Sequence, residues 1–173
     1  MKSTKLLTDE FVIAVFDIDK FGQIAKNKNS EEIFNFLYGM NEVIAEALAP
    51  AEPLCLVPQG DTVITAMKKE KLDEAVTVIE QAKRAAENFI AEKGFHSAVS
   101  AAAHYGEATI GSASPTACTS VQIVGNEVNA VFLLLRIPSY GLFTISPVLF
   151  RKLKNETRQR FHRYTPPIVY RLC

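Results

Sequence analysis

The chain alternates short runs of β-forming residues with long amphipathic stretches. Phe11-Val-Ile-Ala-Val-Phe16 is unbroken and apolar and stops at Asp17, which predicts a buried strand. A short helix is expected over residues 20–26. Asn29 and Glu32 stand at capping-box spacing, and Ile33, Leu37, Met40, Ile44 and Leu48 form one stripe, so a strong helix is expected to run to about Leu48, with Pro50 and Pro53 ending it. Residues 54–57 and 62–67 are β-rich and flank Pro58-Gln59-Gly60-Asp61, which predicts a hairpin. A second long helix is expected over residues 72–93, with Val76, Ile79, Ala82, Ala86, Phe89 and Ile90 inward and Gly94 as its stop.

Further strands are expected at residues 97–105, from 107 to 111, at 121–124 and at 142–145. An apolar helix is expected over residues 128–136. Pro147 suits the first turn of a short helix reaching residue 154, and residues 169–172 read as an edge strand. Strands and helices mix along the whole length without repeats or low-complexity linkers. That pattern predicts a single domain over residues 1–173, an α+β mixed sheet with helices packed on it.

Composition narrows the function classes. Apolar residues make up 48% and charged residues 22%, with formal net charge zero. No basic footprint for nucleic acid stands out, and the balance permits self-association. The longest apolar run, residues 130–135, is far short of a membrane span of about 20 residues, and no signal-peptide core precedes the first strand. A cytoplasmic protein without direct membrane insertion is expected. Cys55, Cys118 and Cys173 are too few and too widely spaced for a zinc site or a disulfide framework, and are expected to be two buried thiols and a free terminal one.

Two carboxylates carry candidate chemistry. Asp17 ends a strand and Asp61 sits in a hairpin turn, and such positions present side chains to ligands. Together they would make a hard oxygen site suited to Mg²⁺, which favours one or two carboxylates plus phosphate oxygens and water. Asp19 is expected to point away from them. Asn129, in the first turns of a helix, could hydrogen-bond a phosphate or ribose, or be satisfied within its own loop.

The order of these segments resembles the catalytic domain of class III adenylyl and guanylyl cyclases. The resemblance rests on Phe16-Asp17-Ile18 with Phe21, on Gly60-Asp61, on His104-Tyr105-Gly106, and on Gly125-Asn126-Glu127-Val128-Asn129. It implies a ferredoxin-like sheet flanked by helices and a head-to-tail dimer with nucleotide sites across the interface. It implies two Mg²⁺ or Mn²⁺ ions at Asp17 and Asp61, with the Ile18 carbonyl touching one. Phe21 and Gly22 would lie against the nucleotide, and Asn129 would position the ribose. His104 is expected to be a packed structural residue.

The chain also departs from the family. Where a Lys or Glu reads the base stands Val57, the second base-reading position is Gln122, and the transition-state arginine is replaced by Leu133. Arg136, one turn beyond Leu133, shares its helix face and could supply the missing charge, or simply reach solvent. Three readings follow: a homodimeric cyclase of unusual base selectivity, with Gln122 reading the base; the metal-bearing half of a heterodimer with a complementary cyclase-like chain; and a nucleotide-binding or dimerising module without turnover. A diguanylate cyclase also begins with a segment like Asp17-Ile-Asp-Lys-Phe21, but its Gly-Gly-Asp/Glu-Glu-Phe hairpin is missing here.

Overall fold

The computed structural model describes residues 6–113, 120–137 and 140–172. The central strand, β1 (Leu6–Ile18), begins five residues before the apolar run. Leu6 to Glu10 are exposed, so no burial pattern marks them, but they pair with residues 107–111. That partner is β4 (Val99–Ala113), one strand where two were expected. An antiparallel ladder from Leu6↔Gly111 to Ile18↔Val99 carries it through Gly106. Continuous backbone pairing outweighs the local interruption that a glycine suggests.

Between these strands lie α1 (Phe21–Ala25), α2 (Ser30–Leu48), β2 (Cys55–Gln59), β3 (Thr62–Lys68) and α3 (Leu72–Glu92). The capping box of α2 is complete: Glu32 N–H donates to Asn29 Oδ1 at 2.9 Å, and Asn29 N–H to Glu32 Oε2 at 2.8 Å. The buried residues of α2 are Phe36, Met40, Ile44 and Leu48. Phe36 therefore takes the place expected for Ile33, because its ring fills a nest made by Phe21, Phe89 and Phe95, with centroids 5.6–6.4 Å away.

The strand order β2-β3-β1-β4 is that of the ferredoxin-like split βαβ unit. After β4 come β5 (Ser120–Val124), α4 (Asn126–Leu135), β6 (Phe143–Ile145), α5 (Pro147–Lys152), α6 (Asn155–Arg158), β7 (Phe161–Tyr164) and β8 (Val169–Leu172). β6 runs parallel to β4 and extends the sheet through β8 to β7, while β5 pairs with the far half of β4. The segment expected as an edge strand, β8, thus lies inside, between β6 and β7. The edge belongs to β7, whose only buried residue is Phe161, too little alternation to announce a strand. The short helix expected from Pro147 is α5, which ends at Lys152, and a further one-turn helix, α6, follows it unannounced.

The sheet has two covered faces. Val12, Ala14, Phe16 and Ile18 of β1 join the larger core with α2 and α3; Phe11, Ile13 and Val15 join a smaller one with Ile123 of β5 and Val128 and Val131 of α4. Alternation along the strand sends neighbours to opposite faces, so Asp17 continues the row that faces α4. Cys55 is buried; Cys118 and Cys173 lie outside the described residues. Among the described residues no helix is long and apolar enough to cross a membrane.

Candidate functional site

The β1–β3 ladder brings the two carboxylates together. Asp17 opposes Thr62, and one step further Ile18 N–H donates to the Asp61 carbonyl at 3.4 Å. Gly60, at φ +66°, takes the left-handed conformation that closes this tight turn without a Cβ penalty. Thr62 Oγ1 donates to Asp17 Oδ1 at 2.7 Å. Partial burial pushes the Asp17 carboxyl above its ordinary value; the Thr62 bond opposes this, and the charges of Asp61 and Asp19 add to it.

Asp19 is held elsewhere. Its carboxylate accepts from Ser100 Oγ at 2.9 Å and from Gly141 N–H at 2.8 Å, tying the end of β1 to β4 and to the segment before β6. Asp17 and Asp61 are left as the pair. Among the described residues no group of three or more His, Cys, Asp or Glu could hold a metal ion, so the protein offers two carboxylates and backbone oxygens such as that of Ile18. That donor set fits Mg²⁺ or Mn²⁺, which complete their shells with water and phosphate oxygens. Burial raises the Asp17 carboxyl first and the Asp61 and Asp19 charges add to it, so a cation bound there would favour the ionised form.

Beside the pair, Lys20 adopts a left-handed conformation, φ 56°, and turns the chain into α1. Phe21 stacks on Phe36. Gly22 is exposed, with open space where a Cβ would stand, so its backbone is accessible to a ligand.

The other candidate residues sit on α4 and around β5. Asn126, Asn129, Leu133 and Arg136 are all exposed, and their spacing sets them along one face of the helix. Arg136 caps the helix C-terminus, its backbone N–H donating to the Leu134 carbonyl, and its side chain makes no hydrogen bond or ion pair among the described residues. Leu133 is 59% exposed, unusual for a leucine on a helix with an apolar core face. Gln122 and Val57 do come together: with Pro58, Gln59, Val121 and Val124 they line a pocket of about 340 Å³. A larger cleft of about 650 Å³ runs past Glu107, Gly125, Asn126 and Asn129. Asp17 and Asp61 line neither. One chain therefore presents a carboxylate pair that lines neither cleft and, besides it, the Val57–Gln122 pocket and the exposed α4 row.

The start of α4 is docked tightly on β4. Gly125 has φ +154°, and a Cβ there would lie 3.1 Å from the Glu107 carbonyl oxygen and 3.3 Å from Ala108 Cα. A Cβ on Gly106 would meet Glu127 Cγ at 2.5 Å. His104 is buried as expected, and its Nε2 lies 2.5 Å from Glu127 Oε2. Glu127 and Thr62 were not singled out by sequence reasoning. The available signal for Glu127 was a lone acidic residue at the start of an otherwise apolar helix; for Thr62, a hydroxyl directly after the hairpin aspartate.

No protein-family model and no curated protein matches this chain. Solved structures do. The adenylyl cyclase CyaB from P. aeruginosa aligns with a TM-score of 0.79 at 12% identity, over 98% of this chain and 96% of that one. The guanylate cyclase domain of RhGC from Catenaria anguillulae, solved in complex with GTP, aligns at 0.76 and 16% identity over 98% of each chain. A class III adenylyl cyclase-like ATP-binding protein from Pseudomonas aeruginosa aligns at 0.73 and 13% identity, over 90% of this chain and 37% of that one. At identities this low the structural likeness shows the fold alone: this chain has the architecture of class III nucleotide cyclase domains.

Proposed function

We propose that the domain binds a nucleoside triphosphate with Mg²⁺ or Mn²⁺ and converts it to a 3′,5′-cyclic nucleotide and pyrophosphate. The observation that carries this reading is the Asp17–Asp61 pair, brought together where β1 pairs antiparallel with β3 beside the β2–β3 turn, in a cyclase fold. The reaction is attack of the ribose 3′-hydroxyl on the α-phosphorus with pyrophosphate leaving. The metal, when bound, neutralises charge that builds on the phosphoryl oxygens.

The chain's own residues do the rest. Ionised Asp17 and Asp61 hold the cation, with Thr62 fixing the Asp17 rotamer. The Asn129 amide orients the ribose. The Gln122 amide, which has both a donor and an acceptor, reads the base edge, while Val57 offers only an apolar wall. Arg136, one helical face with Asn129, supplies the positive charge that Leu133 lacks. Because the carboxylate pair of one chain lines neither the Val57–Gln122 pocket nor the cleft at Asn129, a second copy arranged head to tail completes each site.

One observation favours a second reading. Leu133 is exposed where the cyclase resemblance calls for an arginine, as expected if a complementary cyclase-like partner brings the phosphate-binding charge, or if the domain binds nucleotide without turnover. Steady-state kinetics separate the two. In the homodimeric enzyme, Arg136→Ala lowers kcat by roughly a hundredfold with little change in KM, the usual cost of removing one transition-state charge contact. Leu133→Arg restores much of that loss. Wild-type turnover by Arg136→Ala removes Arg136 from the mechanism, and nucleotide binding with no turnover by the wild-type chain favours the partnered or non-catalytic reading.

A further inference from the structure

A groove of about 560 Å³ lies on the far side of the sheet from β2, between α3 and the β7–β8 edge. Nearly all of its lining is polar. Thr77, Glu80, Gln81 and Arg84 come from one face of α3, and Arg160 and His162 from the approach to β7 and from β7 itself. β4, β6 and β8 separate it from β1 and the Asp17–Asp61 pair.

Glu80 organises the groove. It is buried, and its two carboxylate oxygens take different arginines: Oε1 accepts from Arg84 at 2.6 Å, and Oε2 accepts from Arg160. Arg160 also approaches Thr77 Oγ1 at 3.4 Å. One arginine is enough to neutralise a buried carboxylate. The second leaves the cluster with excess positive charge, and no other carboxylate among the described residues pairs with either guanidinium. Each guanidinium carries five N–H donors, and most of them remain uncommitted. Arg84 is 68% exposed in its side chain while tethered at one nitrogen, so its remaining donors are oriented at little further entropic cost.

We infer that this groove is a second binding site, for a phosphate group carried by a small molecule. A planar carboxylate is satisfied by one guanidinium edge. Two guanidiniums from different elements, with a hydroxyl and the Gln81 and Gln159 amides around them, present donors from several directions, which suits a tetrahedral dianion. Occupancy would bridge α3 to the loop before β7, so the ligand would stiffen the sheet edge rather than enter the reaction. The inference does not depend on the domain having cyclase activity.

The test is a titration of the full chain with inorganic phosphate, in the presence of a metal chelator, followed by the arginine side-chain Nε–Hε resonances. Saturable shifts at Arg84 and Arg160 are expected, with sulfate competing and acetate binding much more weakly. Arg84→Gln and Arg160→Gln should each weaken affinity by about tenfold, the loss expected for one charged hydrogen-bonding partner, and Lys69→Gln, outside the groove, should leave it unchanged. Arg84 is mostly exposed, so its variant keeps the test valid should Arg160→Gln unfold. Non-saturating shifts, or affinity that survives both arginine variants, would mean an adventitious ion only and overturn the site. Equal binding of acetate would overturn the phosphate assignment.

Discussion

Replacing Asp17 with asparagine should make the metal-free protein more stable at neutral pH while abolishing its response to metal and nucleotide. The sign follows from the raised carboxyl. Burial, with Asp61 and Asp19 nearby, holds the folded-state value above the unfolded one. As pH rises, the unfolded chain therefore gives up this proton first, near the ordinary aspartate range of about 3.9. The metal-free wild type then loses stability until the folded-state carboxyl has ionised too, and the loss persists at higher pH. The amide in the Asp17→Asn variant has no such proton to lose, so that decline disappears. Saturating Mg²⁺ and triphosphate should raise the wild-type melting temperature, since a ligand that binds only the folded state stabilises it. The Asp17→Asn variant should show no such rise, and Asp61→Asn should lose it as well. Turnover should fall roughly a thousandfold in either variant, since metal stabilisation of phosphoryl charge is worth several kcal/mol. Thermal melts across pH with and without Mg²⁺ and triphosphate, together with steady-state rates, read all of this; an Asp17→Asn variant that still responds to metal and nucleotide would remove Asp17 from the site.

The second large effect is structural in origin and functional in outcome. Gly125→Ala should destabilise the protein by about 1–3 kcal/mol, the range for holding a side chain in a sparsely populated backbone region. The new Cβ meets backbone, the Glu107 carbonyl and Ala108 Cα, which cannot swing aside as a side-chain tip can. Relief requires α4 to lift from β4, stretching the His104–Glu127 contact and displacing Asn129 and Arg136 together. Nucleotide turnover should fall with stability. Gly22→Ala is the matched control: open space surrounds that position, and its denaturation midpoint should stay near wild type. Urea titrations compare the two, and a Gly125→Ala midpoint equal to wild type would refute the docking argument.

Much of this arrangement is legible in sequence because local signals agree with tertiary ones. The Asn29–Glu32 box, the apolar run ending at Asp17 and the Gly60-Asp61 turn each announce their structure within a few residues, and all three stand where expected. What escaped depends on distant partners. Leu6 to Glu10 become strand only because β4 runs alongside. Residues 99–113 stay one strand for the same reason. β7 has a single buried side chain, and Phe36 replaces Ile33 in the core because rings from α1, α3 and the loop after it converge on it. At the site, the approach of Asp17 to Asp61 was readable from motif order, whereas the Thr62 bond and the His104–Glu127 contact depend on register and helix docking that no short motif encodes. The joint pocket of Val57 and Gln122 emerges only when β2 and β5 are placed in space.

The most direct test of the central claim is a product assay. Purified protein is incubated separately with ATP, GTP, CTP and UTP, in Mn²⁺ and in Mg²⁺, and products are identified by mass. A cyclic mononucleotide and pyrophosphate are expected from at least one substrate, with the signal lost in Asp17→Asn. A cyclic product that persists in Asp17→Asn, or no product from any of the four triphosphates with either metal, would contradict it.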